Sequence, residues 1–202
     1  MSPSARNLLL VNAATLVVAL ALGWDAGALL WPYWIQSVVV GWYARRRILC
    51  LRQFSTEGFT SNGARVPEDE GGKRSTANFF LMHYGMFHVV YLLFLSRAHP
   101  TDGILDLLVL LALGLSFALS QRETFAVQHA ADLRGRPNLA TLMFLPYLRV
   151  IPMHLAILLG AASSGAWMLV LFTVLKTAAD LRMDALDRRK AMAAANDVQA
   201  AP

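Results

Sequence analysis

Over residues 78–96 the chain reads Asn-Phe-Phe-Leu-Met-His-Tyr-Gly-Met-Phe-His-Val-Val-Tyr-Leu-Leu-Phe-Leu-Ser, without an acidic side chain, a lysine or an arginine. An uncharged apolar stretch of about 20 residues is what a helix needs to cross the hydrocarbon of a bilayer. Yet this one carries two imidazoles, His83 and His88. Polar side chains inside a membrane span are costly, so each marks either a functional site or a bond between helices.

The same kind of run recurs along the chain. Apolar segments over residues 8–23, 26–43, 78–96, 104–120, 142–162 and 166–181 predict an all-α, polytopic membrane protein with six transmembrane helices. With 56% hydrophobic and only 15% charged residues, the chain is too apolar for an ordinary soluble domain. One membrane domain is expected over residues 1–187, and the Ala-rich tail 188–202 is expected to be disordered. The first run has features of a signal peptide, but a second span starts directly after Trp24 and Asp25, which favours a retained helix. The fourth run continues as an amphipathic helix to about Leu133, where Arg134-Gly135-Arg136-Pro137-Asn138 breaks it. Pro146 and Pro152 predict a kink in the fifth.

Between the second and third runs, residues 51–76 are rich in glycine and charge, with Pro67 and Glu68-Asp69-Glu70 among them. Composition predicts a flexible polar loop there. In the second run, Tyr33, Gln36, Ser37 and Gly41 share one side, expected to face protein. Trp31, Trp34 and Trp42 share another, expected to face lipid. Ser37 and Gly41 form a small-x-x-x-small pair that permits close helix approach.

Orientation follows from the basic residues. Arg45, Arg46, Arg47, Arg52, Arg65, Lys73 and Arg74 follow the second run, Arg122, Arg134 and Arg136 the fourth, and Arg182, Arg188, Arg189 and Lys190 the last. Only Arg97 lies in the opposite connections. Both termini are therefore expected in the cytoplasm of a cell with this protein in its inner membrane. The net charge of +5 is explained by this placement and does not point to nucleic acid. Cys50 is the single cysteine, so no internal disulfide forms.

The candidate site residues are the polar groups inside the spans. At about 1.5 Å per residue, Gln36, His83, Arg149 and Lys176 lie roughly 7–11 Å from the cytoplasmic side, with His88 and His154 at roughly 15–18 Å. Asp180 stands four residues after Lys176, the spacing of an ion pair along one helix face. Arg149 has no obvious partner in the sequence, which suggests a cavity for an anionic or polar group. In that reading Arg149 and Lys176 hold charge, Tyr33 and Gln36 orient the ligand, and His83 or His88 relays protons. A plainer reading exists for each: Lys176 reaches the interface, and His88, on one face with Tyr84 and Tyr91, bonds a neighbouring helix.

No metal site and no cofactor are expected. His83 and His88 are about 140° apart around a helix and cannot share one ion. A bis-histidine haem would need one of them with His154, and Met82, Met86 and Met153 offer soft ligands for copper(I), but the spacing matches no metal motif.

In Trp31-Pro32-Tyr33-Trp34-Ile35-Gln36-Ser37, in His83-Tyr84-Gly85-Met86-Phe87-His88 and in Lys176-Thr177-Ala178-Ala179-Asp180, the chain resembles a family of small prokaryotic integral membrane proteins known only as a domain of unknown function. The likeness excludes the polar loop and the tail. It implies a fold and no mechanism. The leading expectation is binding or transport of a small anionic or amphiphilic ligand in a polar pocket among spans two, three, five and six. A haem- or metal-binding redox protein and a structural membrane scaffold are the alternatives. Membrane lipids are the expected partners, a homo-oligomer is compatible with the sequence, and no reaction is identified, a lipid-modifying one included.

Overall fold

The computed structural model describes residues 3–160, 167, 169–182 and 185. They are mostly helical: α1 (Pro3–Ala21), α2 (Gly27–Leu49), α3 (Glu70–Ala98), α4 (Ile104–Arg134), α5 (Leu139–Phe144) and α6 (Tyr147–Gly160), with β1 (Thr60–Ser61) and β2 (Ala64–Arg65) between α2 and α3. Residues 169–182 are helical as well. The expected turn at Ser163-Ser164-Gly165 and the tail 188–202 lie outside the described residues. The chain forms two compact units, Gly27–Tyr147 and the combination of Met1–Ala26 with Leu148–Pro202.

In the unit Gly27–Tyr147, α2 packs against α3, α4 and α5. Its buried positions, Gly27, Leu30, Tyr33, Ser37, Gly41 and Ile48, are three, four or seven residues apart and so form one stripe. The stripe is narrow because Ser37 and Gly41 are small, and the Tyr84 ring of α3 fills the room they leave. A methyl group on Gly41 would collide with that ring. Tyr84 then closes the contact by donating its hydroxyl to the Ser37 carbonyl at 2.9 Å, with Ser37 Oγ also at 2.9 Å. On α4, Gly114 performs the same service for Ile35.

The tryptophans depart from expectation. Trp42 is exposed, as a lipid-facing residue would be. Trp31 and Trp34 are half-buried and reach α3, donating to the backbone oxygens of His99 (2.8 Å) and His88 (3.0 Å). Indole N–H groups seek an acceptor when buried, and the helical stripe alone does not reveal that one is at hand.

Helices α3 and α4 are long and apolar enough to cross a membrane, whereas the apolar stretches Leu9–Ala21 and Leu139–Leu155 are shorter. Helix α4 is continuous to Arg134, as the amphipathic extension predicts. The fifth run is broken at Pro146, which separates α5 from α6, and Pro152 is buried within α6. A proline lacks the N–H that would continue the ladder, so the break falls where the sequence puts it.

Residues 51–69 are not the loose loop that composition predicts. Asn62 and Gly63 both take positive φ (51° and 77°), the conformation of a two-residue type I′ turn, and pair β1 with β2 through Ser61↔Ala64 and Thr60↔Arg65. Leu51, Phe54, Thr56 and Val66 of the same segment are buried. The segment is stitched to the α4–α5 connection: the Ser55 N–H donates to the Pro137 carbonyl (3.0 Å), the Ser55 carbonyl accepts the Leu139 N–H (2.8 Å), and Asn138 Nδ2 donates to the Glu57 carbonyl at 2.9 Å. Glu68 accepts the Thr56 N–H at 2.9 Å and pairs with Arg65 (2.7 Å) and Arg136. Close by in the chain, Arg47 of α2 clasps Asp132 of α4 with two bonds of 2.5 and 2.7 Å. Helix α3 starts at Glu70, a full two turns before position 78, because Asp69 caps it by accepting the Gly72 N–H at 2.8 Å. Buried Lys73 is neutralised by Glu70 (2.5 Å) and also donates to the Leu51 carbonyl.

Two outcomes follow from these contacts. Gly41→Ala must displace the Tyr84 ring and is expected to destabilise the unit by about 1–3 kcal/mol, as overpacking does; thermal unfolding in detergent checks this, and an unchanged midpoint would refute the contact. Glu68 has its pKa held below the usual 4.5 by the Thr56 N–H first, then by Arg136 and Arg65, with partial desolvation opposing them. A lowered folded-state pKa stabilises above the unfolded value, and the contribution disappears as pH falls through the folded one. The protection of amides in residues 51–69 relative to their intrinsic exchange rates should therefore fall below about pH 4.5, and Glu68→Gln should remove that acid dependence.

Candidate functional site

Within the unit Gly27–Tyr147, the polar residues of α3 fall on an aromatic cluster. His88 is 5% exposed, near the middle of the apolar part of α3. Its Nδ1 is 2.9 Å from the carbonyl oxygen of Tyr84, one turn back on the same helix. A carbonyl only accepts, so Nδ1 carries the proton, and in a neutral imidazole Nε2 is then a bare lone pair. That Nε2 is buried and has no hydrogen-bond partner among the described residues. Around the ring stand Tyr84, stacked with centroids 4.4 Å apart, Tyr91 at 6.1 Å and Trp34 at 6.4 Å.

The cluster continues toward the surface of the unit. Phe80 stacks on Tyr84 at 4.9 Å, and Tyr147 meets both edge-on, at 5.9 and 5.4 Å. The Tyr147 hydroxyl is 2.8 Å from Nδ1 of His83, which is exposed and lies between Phe79 and Phe87. His83 and His88 thus differ in kind: one is a surface imidazole bonded to a tyrosine, the other a buried imidazole with an open nitrogen. Tyr33 is buried on the inner stripe of α2, and Gln36 beside it is half-buried and engaged with neighbouring groups.

The other unit has its own constellation. Lys176 Nζ lies 2.7 Å from Asp180 Oδ2, the pair that their spacing predicts, and donates to Asn12 Oδ1 of α1 at 3.0 Å. Asn12 Nδ2 in turn reaches Asp180 Oδ2 at 3.5 Å. Asn12 was not among the residues singled out from the sequence; a lone asparagine inside an apolar run was the available signal. The three form a closed ring of opposite charge and complementary amide, which leaves Lys176 without excess charge for an anion. Arg149 and His154 lie on α6, both half-buried and both in contact with polar or aromatic groups, so Arg149 is not the solitary guanidinium that the sequence suggests.

Tyr33, Gln36, His83 and His88 belong to one unit, and Arg149, His154, Lys176 and Asp180 to the other. Tyr84, Trp34 and Tyr147 join the first group, Asn12 the second. Among the described residues no three histidine, cysteine or acidic side chains gather as metal ligands.

No curated protein and no solved structure matches the chain. A sequence profile of a family of unknown function, DUF6498, matches residues 1–197, and the chain belongs to that family.

Proposed function

We propose that the protein is a six-span, multi-pass component of the inner membrane, with both termini in the cytoplasm, that binds a small amphiphilic ligand within the bilayer. Support for the membrane comes from the outer surface of α3 and α4. Met82, Val89 and Leu93 on α3 and Leu105, Leu111 and Leu115 on α4 are all exposed, apolar surface that hydrocarbon tolerates and water does not. The hairpin and its arginines gather beyond one end of these helices, as a cytoplasmic face requires.

The observation that carries ligand binding is the open Nε2 of His88. A histidine serving only to join helices would direct a ring nitrogen across the contact. This one bonds its own helix through Nδ1, and Nε2 stays unmet. The closed Lys176–Asp180–Asn12 ring favours a neutral amphiphile over the anion that Lys176 and Arg149 suggest in the sequence. The same tautomer supports a second reading. Metal-bound histidines hold their other nitrogen on a carbonyl in this way, so His88 could ligate a haem or a metal ion.

Two measurements test the proposal. With Cys50 replaced by serine, a membrane-impermeant maleimide should label Asp102→Cys in intact spheroplasts, and Ser61→Cys only after the membrane is opened; the reverse pattern would overturn the orientation. Protein purified in mild detergent should be colourless and should yield on extraction one amphiphile near equimolar amount. A Soret band or stoichiometric metal would select the haem or metal reading. Bulk lipid alone would select a scaffold.

A further inference from the structure

We infer that Nε2 of His88 anchors an intramembrane site for a neutral, lipid-soluble molecule bearing a hydroxyl on an aromatic ring, a quinol or related phenol. The inference rests on the membrane reading above and specifies its ligand. The first step is the sign of the hydrogen bond. Nε2 is an acceptor, because the Tyr84 carbonyl fixes the proton on Nδ1. Whatever completes it must be a donor, and a buried acceptor left unmet is costly.

None of the neighbouring donors, the Tyr91 hydroxyl included, reaches Nε2, and two of them are committed elsewhere. The Trp34 N–H goes to the His88 backbone oxygen, and the Tyr84 hydroxyl goes to the Ser37 carbonyl. The donor must therefore come from outside this cluster. Its charge follows from the lining: Trp34, Tyr84 and Tyr91, the rings around His88, carry none, and an ion would have no counterpart at this depth. An aromatic ring on that molecule suits the same surroundings, since aromatic side chains meet another ring edge-on or offset. A quinone offers only acceptors and would oppose lone pair to lone pair, whereas a quinol supplies the missing O–H.

The test uses the full chain in nanodiscs with 15N-labelled histidine, titrated under reducing, anaerobic conditions with a short-chain benzoquinol. The oxidised quinone and the quinol dimethyl ether serve as comparisons. His88 should appear as the Nδ1–H tautomer, and the quinol should shift its Nε2 resonance, which is assigned by its loss in His88→Phe. Both comparison compounds should bind at least tenfold more weakly. In His88→Gln, whose amide can donate, the preference for quinol over quinone should shrink or reverse. An Nε2–H tautomer, equal binding of all three compounds, or a resonance that no compound moves (a buried water only) would each overturn the inference. Co-purification of a different amphiphile with an unperturbed His88 would overturn it while leaving the broader proposal intact. Failure of the labelling pattern would remove the broader proposal itself.

Discussion

The meeting of Tyr84 with the Ser37–Gly41 notch is the contact on which the larger unit depends. A glycine and a serine one turn apart let a tyrosine ring lie against the α2 backbone, and the ring's hydroxyl then bonds the Ser37 carbonyl. That single placement sets the rotation of α3. It turns His88 inward one turn further along, brings Tyr91 onto the same buried face, and leaves His83 exposed. It also sets the distance at which Trp34 reaches the His88 carbonyl. Apolar packing alone gives little preference among rotations, so a polar bond combined with a steric notch decides the matter.

A second, polar set of bonds holds the end of the unit beyond the apolar helices. The Arg47–Asp132 clasp joins the last turns of α2 and α4, and the hairpin ties the α2–α3 connection to the α4–α5 connection through Ser55, Arg136 and Asn138. Composition hides this order, because glycine, proline and charge are also the signature of a loose loop. The local chemistry does not hide it. Asn62-Gly63 is the residue pair a type I′ turn prefers, and Asp69 stands where a helix cap belongs. Local pattern thus carries the hairpin; its docking on Asn138 and Arg136, far along the chain, lies beyond local pattern.

The sites were legible to different degrees for physical reasons. The notch was visible because small residues four apart have a direct packing meaning, and Lys176 with Asp180 because ion pairs recur at that spacing. Tyr84 was visible only as part of a stripe, since periodicity gives a face and not a partner. Trp31 and Trp34 read as lipid-facing because tryptophan is common at interfaces, although an indole N–H serves equally well as a donor to a neighbouring helix. Asn12 gives little signal in the sequence because the amide carries no charge to be balanced, yet it completes the ring that balances Lys176.

These particulars separate the polar groups by whether their bonding is complete. Lys176, Asp180 and Asn12 satisfy one another, and Tyr84 is satisfied by Ser37; such groups lock helices, and little about them requires a ligand. His88 is different. It uses Nδ1 on its own helix, so the ring makes no hydrogen bond across the α2–α3 contact, and the cost of burying an imidazole there is not offset by helix association. A side chain that adds cost without joining helices is the one whose presence a bound molecule would explain, and the fixed tautomer states what that molecule must offer: a donor, or a metal, at Nε2.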